Sequence, residues 1–262
     1  MRVTKKVIII GIGEMGSVFA RGFLRDGFTV IPVTRSMEIK NIALKEPNPD
    51  LVILAVAEND LQNNLESIPA EWKDKLVLLQ NELLPKDWLK HELISPTIIS
   101  VWFEKKKGQD VKVIIPSPVY GAKANAIQSA LGTIDIPVTI INSEQEMEEE
   151  LILKNVYILT TNIAGLECGG TVESLWNKNN ALALEVANEV MDIQSWLVGK
   201  DISRKKLIAG FAEAILGDLN HKCMGRSAPA RLNRALELAD KAKLTVSKLR
   251  EIKSRSSECM EA

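Results

Sequence analysis

Three glycines near the start of the chain, Gly11, Gly13 and Gly16, have the spacing a diphosphate-binding turn needs. In a strand-turn-helix unit the first allows a tight turn out of the strand, the second lets the backbone approach a pyrophosphate, and the third lets the helix pack on the sheet. Ile12, Glu14 and Met15 complete the turn and the first helical positions, where free N–H groups and the positive dipole end receive an anion without a lysine. A structural glycine turn with no ligand is the competing explanation. The next chemistry-bearing group is Thr34-Arg35-Ser36, at the end of the following strand. A guanidinium pairs with a phosphate dianion through two hydrogen bonds, and a hydroxyl donates alongside it. This tip therefore fits the 2′-phosphate of NADP, whereas the 2′-hydroxyl of NAD calls for Asp or Glu. A solvated surface arginine is the alternative.

A second concentration of reactive side chains lies far downstream, in Asn220-His221-Lys222-Cys223-Met224-Gly225-Arg226-Ser227. Arg226 can clamp a carboxylate through paired hydrogen bonds, and His221 is of the type that titrates near neutral pH. A substrate wall and a helix cap with a surface turn both account for the cluster. No metal site is expected, because His221 and Cys223 have no further ligands at usable spacing. Cys168, Cys223 and Cys259 are an odd number, widely spaced, which points to a reducing cytoplasm and not to a disulfide framework.

The elements that must position these groups follow from periodicity. Residues 7–10 are a continuous β-branched run suited to a parallel strand buried on both faces. Val18, Phe19, Phe23 and Leu24 have helical spacing, Gly27 ends that helix, and residues 28–33 resume strand character. Further strands are expected at 51–57, which ends at the cofactor-binding position Ala57, and at 75–80, 97–103, 111–115 and 138–141, with helices at 37–45, 58–71, 85–93 and 122–131. This alternation predicts an α/β fold, a doubly wound parallel sheet of the Rossmann type, over residues 1–142. Pro116-Ser117-Pro118-Val119-Tyr120-Gly121 reads as a rigid strand-ending turn or a loop approaching cofactor and substrate. Residues 143–262 predict an all-helical second domain for substrate binding and dimerisation, with helices at 144–164, 171–198, 203–220, 229–241 and 247–254. Gly199 and Gly217 mark helix ends or kinks.

The bulk numbers narrow the partners. The chain has 262 residues, 46% of them hydrophobic, and a net charge of -1, so it can bury a large core but offers no basic face for a nucleic acid. The charged runs at 104–107 and 144–150 read as solvated faces. No apolar run is long enough to span a bilayer, so no membrane is expected as a partner and a cytoplasmic protein is.

Four segments together resemble the ketopantoate reductase family, within the NADP-dependent dehydrogenases similar to 6-phosphogluconate dehydrogenase. They are GIGEMG, Thr34-Arg35-Ser36, the strand exit LLQNELLP with Gln80-Asn81, and LILKNVYILTTNIAGL at the start of the helical half. The resemblance implies that Lys154, Asn81 and Asn162 surround a substrate carbonyl beside the nicotinamide, in a cleft between the domains. Asn81 also counts among the cofactor-binding residues. Lys154 and Asn162 are two helical pairs of four apart and share a face. An exposed lysine paired with Glu150 is the alternative for Lys154, and a helix-to-helix hydrogen bond the alternative for Asn162. Ser227 and Asn233 match the family's late substrate-binding motif, but Ala228 stands where the family has an acid. Glu82 replaces the glycine of Gln-Asn-Gly, and Ile158 replaces a second helix asparagine.

The sequence therefore reads as an NADPH-dependent reductase of a small 2-oxo acid, forming a homodimer. An imine or cyclic-amino-acid reductase follows if the proline segment lines the pocket. A non-catalytic NADP-binding sensor or partner protein follows if Ala228 abolishes turnover.

Overall fold

The computed structural model describes residues 4–261, the side chains of 257–261 excepted, so the side chain of Cys259 lies outside the described residues. The chain forms two compact units, Met1–Leu151 and Ile152–Ala262. In the first, β1 (Lys6–Ile10) leads through the glycine turn to α1 (Glu14–Arg25), then β2 (Thr29–Val33), α2 (Ile39–Lys45), β3 (Leu51–Leu54), α3 (Leu61–Glu66), β4 (Leu76–Leu78), α4 (Pro85–Leu89) and β5 (Thr97–Ile99). A hairpin of β6 (Phe103–Glu104) and β7 (Lys112–Val113) follows, then β8 (Ser117–Tyr120), α5 (Ala124–Gly132) and β9 (Val138–Ile140).

The main sheet has seven strands in the order β2-β1-β3-β4-β5-β8-β9. Val7, Ile8 and Ile9 are fully buried, as a β-branched run covered on both faces must be. Phe19 and Phe23 of α1 pack into the same core as Ile9, Ile53, Val77 and Ile127, and each buried ring contributes roughly 2–3 kcal/mol. Gly22 lets α1 close on α5, since a Cβ there would stand 2.7 Å from the Ala130 carbonyl oxygen.

Three expectations need correction. The sheet is not wholly parallel: β8 runs antiparallel to β5 and parallel to β9. A hairpin, not a helix, joins β5 to β8, and without a helical crossover the chain returns in the opposite direction. Ser117–Tyr120 of the proline segment are consequently a strand in the sheet, with Pro116 and Gly121 flanking it. The Ser100 N–H donates to the Pro118 carbonyl at 2.9 Å, and Ser117 N–H donates to Pro137. Residues 58–71 are not one helix, because Pro69 disfavours helical geometry at Ile68; a 3-10 turn, the short α3 and a second 3-10 turn divide them.

The second unit begins inside α6 (Glu144–Cys168) and continues through α7 (Val172–Lys178), α8 (Asn180–Val198), α9 (Arg204–Gly217), α10 (Ala228–Ala242) and α11 (Ser247–Glu261). Residues 171–198 break into two helices at Asn179, whose side-chain amide donates to the Ser174 carbonyl at 3.5 Å and competes with the helical ladder. Gly199 adopts a left-handed φ of 67° and ends α8. Gly165 admits the chain before α10 against α6, since a Cβ there would lie 2.9 Å from the Cβ of Cys223. No helix among the described residues is long and apolar enough to cross a membrane.

Candidate active site

The three glycines of the first turn are present for different reasons. Gly11 has φ +93°, and a Cβ on it would stand 2.6 Å from the Ala55 carbonyl oxygen. At Gly16 an added Cβ would fall 1.9 Å from the Gly11 carbonyl oxygen. Both are required by the protein's own packing. Gly13 is different: its φ of -84° suits any residue, and a Cβ there would meet nothing within 4 Å. The bare backbone at Gly13 faces open space at the N-terminus of α1, where free N–H groups could receive an anion.

The neighbours of that open space are polar. The Glu14 carboxylate, at the helix start, pairs with Lys105 Nζ of the β6-β7 loop at 3.2 Å. Ile12 and Ala57 are exposed, while Met15 packs against the core. At the end of β2, Thr34 Oγ1 and Ser36 Oγ lie 3.0 Å apart. The Arg35 side chain is 95% exposed and its Nη2 is 3.5 Å from Asp60 Oδ2. An ion pair so open to water holds by no more than about 1 kcal/mol, so Arg35 is readily drawn to a phosphate. Asp60, from the 3-10 turn after β3, went unnoticed in the sequence because nothing local links it to residue 35.

At the exit of β4, Gln80 is buried and its amide donates to the Leu54 carbonyl at 2.5 Å, tying β4 to β3. Asn81 Nδ2 donates to Glu58 Oε1 at 3.0 Å. Glu82 takes a left-handed φ of 62°. This is the conformation glycine adopts freely, so the exit loop keeps a glycine-type backbone without the glycine.

In the second unit, Lys154 and Asn162 are each only 8% exposed, so Lys154 is no solvated helix lysine. Arg231 of α10, 9% exposed, donates from Nη1 to Asn162 Oδ1 at 3.0 Å. Asn162 thus makes a helix-to-helix hydrogen bond. Burial, and after it the like charge of Arg231, push the Lys154 ammonium down from 10.5 to about 7. Gly225 also approaches, since a Cβ on it would lie 3.7 Å from Asn162 Oδ1. Arg231 escaped the sequence reading, although a signal was present. Ala228, Leu232, Ala235 and Ala239 form the buried stripe of α10, and an arginine beside them cannot sit in solvent.

The other expected substrate residues are placed differently. Arg226, Ser227 and Asn233 are exposed, outside the buried Lys154-Asn162-Arg231 group. His221 Nδ1 is 3.8 Å from Asp218 Oδ2, and its ring centroid is 6.3 Å from that of Tyr157. Burial pushes the Cys223 thiol up to about 12, so it is a packing group and not a nucleophile. Among the described residues no group of three or more His, Cys, Asp or Glu side chains could hold a metal ion.

No protein-family profile matches the sequence, and no curated protein matches it. Solved structures do. A probable 2-dehydropantoate 2-reductase from Bacillus subtilis superposes with a TM-score of 0.69 at 16% identity, covering 97% of this chain and 99% of that one. The fold is that of the ketopantoate reductases. A ketopantoate reductase from Ralstonia eutropha JMP134 gives 0.68 at 14% identity over 96% of this chain and 97% of that chain. D-mandelate dehydrogenase solved with NADH superposes on this chain with a TM-score of 0.69 at 13% identity, covering 98% of this chain and 99% of that one.

Proposed function

We propose that the protein is an NADPH-dependent reductase of a small 2-oxo acid, with Lys154 as the proton donor. The observation that carries this reading is Lys154 itself, a buried ammonium whose pKa is brought to about 7. A general acid works best when its pKa lies near the operating pH, and a lysine that served only packing would gain nothing from burial. The fold supports the same reading, since solved proteins with this fold are described as a ketopantoate reductase, a probable 2-dehydropantoate 2-reductase and, with NADH, D-mandelate dehydrogenase.

Gly11, Gly13 and Gly16, with the N-terminus of α1, would hold the diphosphate, and Arg35 and Ser36 the 2′-phosphate. Ile12, Glu14, Met15, Thr34, Ala57 and Asn81 would line the cofactor. Bound there, a nicotinamide supplies the hydride equivalent that reduces the carbonyl carbon. In its charged form Lys154 Nζ donates a hydrogen bond to the carbonyl oxygen, stabilises the growing alkoxide and releases its proton to it, which leaves a 2-hydroxy acid and a neutral amine. Asn162 orients the substrate beside it, held in place through Arg231. Arg226, Ser227, Asn233 and His221 form the outer wall of the substrate site.

The test is nicotinamide oxidation followed by absorbance against a panel of 2-oxo acids, with Lys154→Ala beside the wild type. Turnover of at least one 2-oxo acid, lost by more than about a hundredfold in the variant, is expected. No turnover across the panel, or an unaffected variant, overturns the reading.

A further inference from the structure

Glu14 stands where folding and cofactor binding disagree. It is the first residue of α1, where the positive end of the helix favours a carboxylate. The same end, beside the open backbone of Gly13, is where a diphosphate would be received. Both anions cannot take it without repulsion. A carboxylate roughly 6 Å from a group of two negative charges weakens its binding by about tenfold in water. One cation meets this carboxylate. Lys105 Nζ lies 3.2 Å from Glu14 Oε2 and also donates to the Lys106 carbonyl at 2.9 Å. The Lys105 side chain is the more buried of the two, 20% exposed against 44% for Glu14. Arg21 lines the same cavity as Lys105, about 220 Å³ in volume and walled by α1 and the β6-β7 hairpin, yet it makes no ion pair among the described residues.

We propose that Lys105 is a positioning residue for the cofactor: it neutralises the Glu14 carboxylate and holds it aside, so that the N-terminus of α1 accepts a diphosphate. The proposal rests on the nicotinamide-cofactor part of the reading above. It gives a task to the hairpin that stands in place of a helical crossover between β5 and β8. The base of that hairpin is fixed in the core. The Phe103 ring centroid is 6.3 Å from that of Phe19 on α1, and Val111 and Val113 pack against the same cluster. The loop leaving β6 then carries the Lys105 ammonium to the start of the same helix. Losing the ammonium removes a charge and leaves the apolar anchor in place. The diphosphate is common to NADH and NADPH, so Lys105 acts on both alike, whereas Arg35 acts on the 2′-phosphate of one.

The experiment is fluorescence titration of NADPH and NADH into the wild type, Lys105→Met, Glu14→Gln and the double variant, at about 10 mM and about 1 M salt. Lys105→Met should weaken both nucleotides about tenfold at low salt, and high salt should shrink that loss to about twofold as the screening length falls from about 30 Å to about 3 Å. The double variant, which has neither charge, should bind within about threefold of the wild type. This rescue separates neutralisation from a merely structural role, which a second substitution does not repair. A double variant as weak as Lys105→Met overturns the proposal, as does a loss confined to NADPH or a loss unchanged by salt. Should Lys105→Met fail to fold, Glu14→Gln decides alone: with Lys105 left uncompensated, both nucleotides should bind about threefold tighter or better, and equal or weaker binding refutes the proposal. If the wild type binds neither nucleotide, the cofactor reading itself falls, and the proposal with it.

Discussion

Lys154→Met removes the charge and keeps the length of the side chain, and it should make the protein more stable while abolishing reduction. Lys154 is 8% exposed, and burial, followed by the charge of Arg231, brings its pKa from 10.5 to about 7. Between about pH 7 and about pH 10 the unfolded chain carries a proton that the folded protein does not, so wild-type stability rises with pH by about 1.4 kcal/mol per unit. Below about pH 7 both states are charged and the whole burial cost is present, roughly 5 kcal/mol as an upper bound. Methionine has no such cost at any pH. The stability gained by Lys154→Met is therefore largest at acidic pH and shrinks by about 2 to 3 kcal/mol between about pH 6.5 and about pH 9. A hydrogen bond lost with the ammonium shifts this difference by about 1 kcal/mol without changing its slope. Urea unfolding of both proteins across that range, followed by tryptophan fluorescence, measures it. A difference that stays flat with pH refutes the lowered pKa, and with it the reason for naming Lys154 as the acid.

The pH dependence of turnover should mirror this, with kcat/KM for 2-oxo acid reduction falling as pH rises through about 7 because the donor must be charged; a profile level to about pH 9 removes Lys154 from that role. Gly13→Ala should weaken NADPH binding by more than about tenfold while changing stability by no more than about 1 kcal/mol, because its Cβ meets only open space. Gly16→Ala, whose Cβ would collide with the Gly11 carbonyl, should lower the melting temperature sharply, and similar melts for the two variants would count against the ligand cradle. Arg35→Ala should cost NADPH affinity about tenfold to a hundredfold and spare NADH, and Asp60→Ala should tighten NADPH; fluorescence titration showing equal losses for both nucleotides removes the 2′-phosphate argument. Glu82→Gly should stabilise the protein by up to about 1 kcal/mol, read as a higher urea midpoint, because it relieves a left-handed backbone at φ 62°. A lower midpoint means that contacts of the Glu82 side chain outweigh that strain.

The parts of the fold that could be read from the sequence are those in which local chemistry and tertiary role agree. Val7 to Ile10 are β-branched and sit in the middle of the sheet, and Gly27 and Gly199 end helices in the left-handed conformation that only glycine adopts at no cost. The misreadings occur where a local preference was overruled. Two prolines and a glycine mark 116–121 as a turn, yet β8 accepts Pro118 at the place where its antiparallel partner β5 ends, so few ladder bonds are given up. The helical pattern of 171–198 runs without interruption in its apolar positions, but Asn179 breaks it through its own side chain.

The candidate site was legible to the extent that glycine spacing reveals a cradle, and illegible where charge is concerned. A lysine in a sequence looks the same whether it is hydrated or buried, and the resemblance alone marked out Lys154. The neighbouring residues held a better signal. From Leu151 to Leu159 every position except Lys154 and Asn155 is apolar, so the helix is hydrophobic all round and leaves no wet face for an ammonium. The same reasoning applied to α10 finds Arg231 against the stripe of Ala228, Leu232, Ala235 and Ala239, where the sequence reading had turned instead to the exposed Arg226. The reaction proposed for Lys154 accounts for the cost of burying it, because a proton donor that works near pH 7 must hold an ammonium that gives up its proton readily.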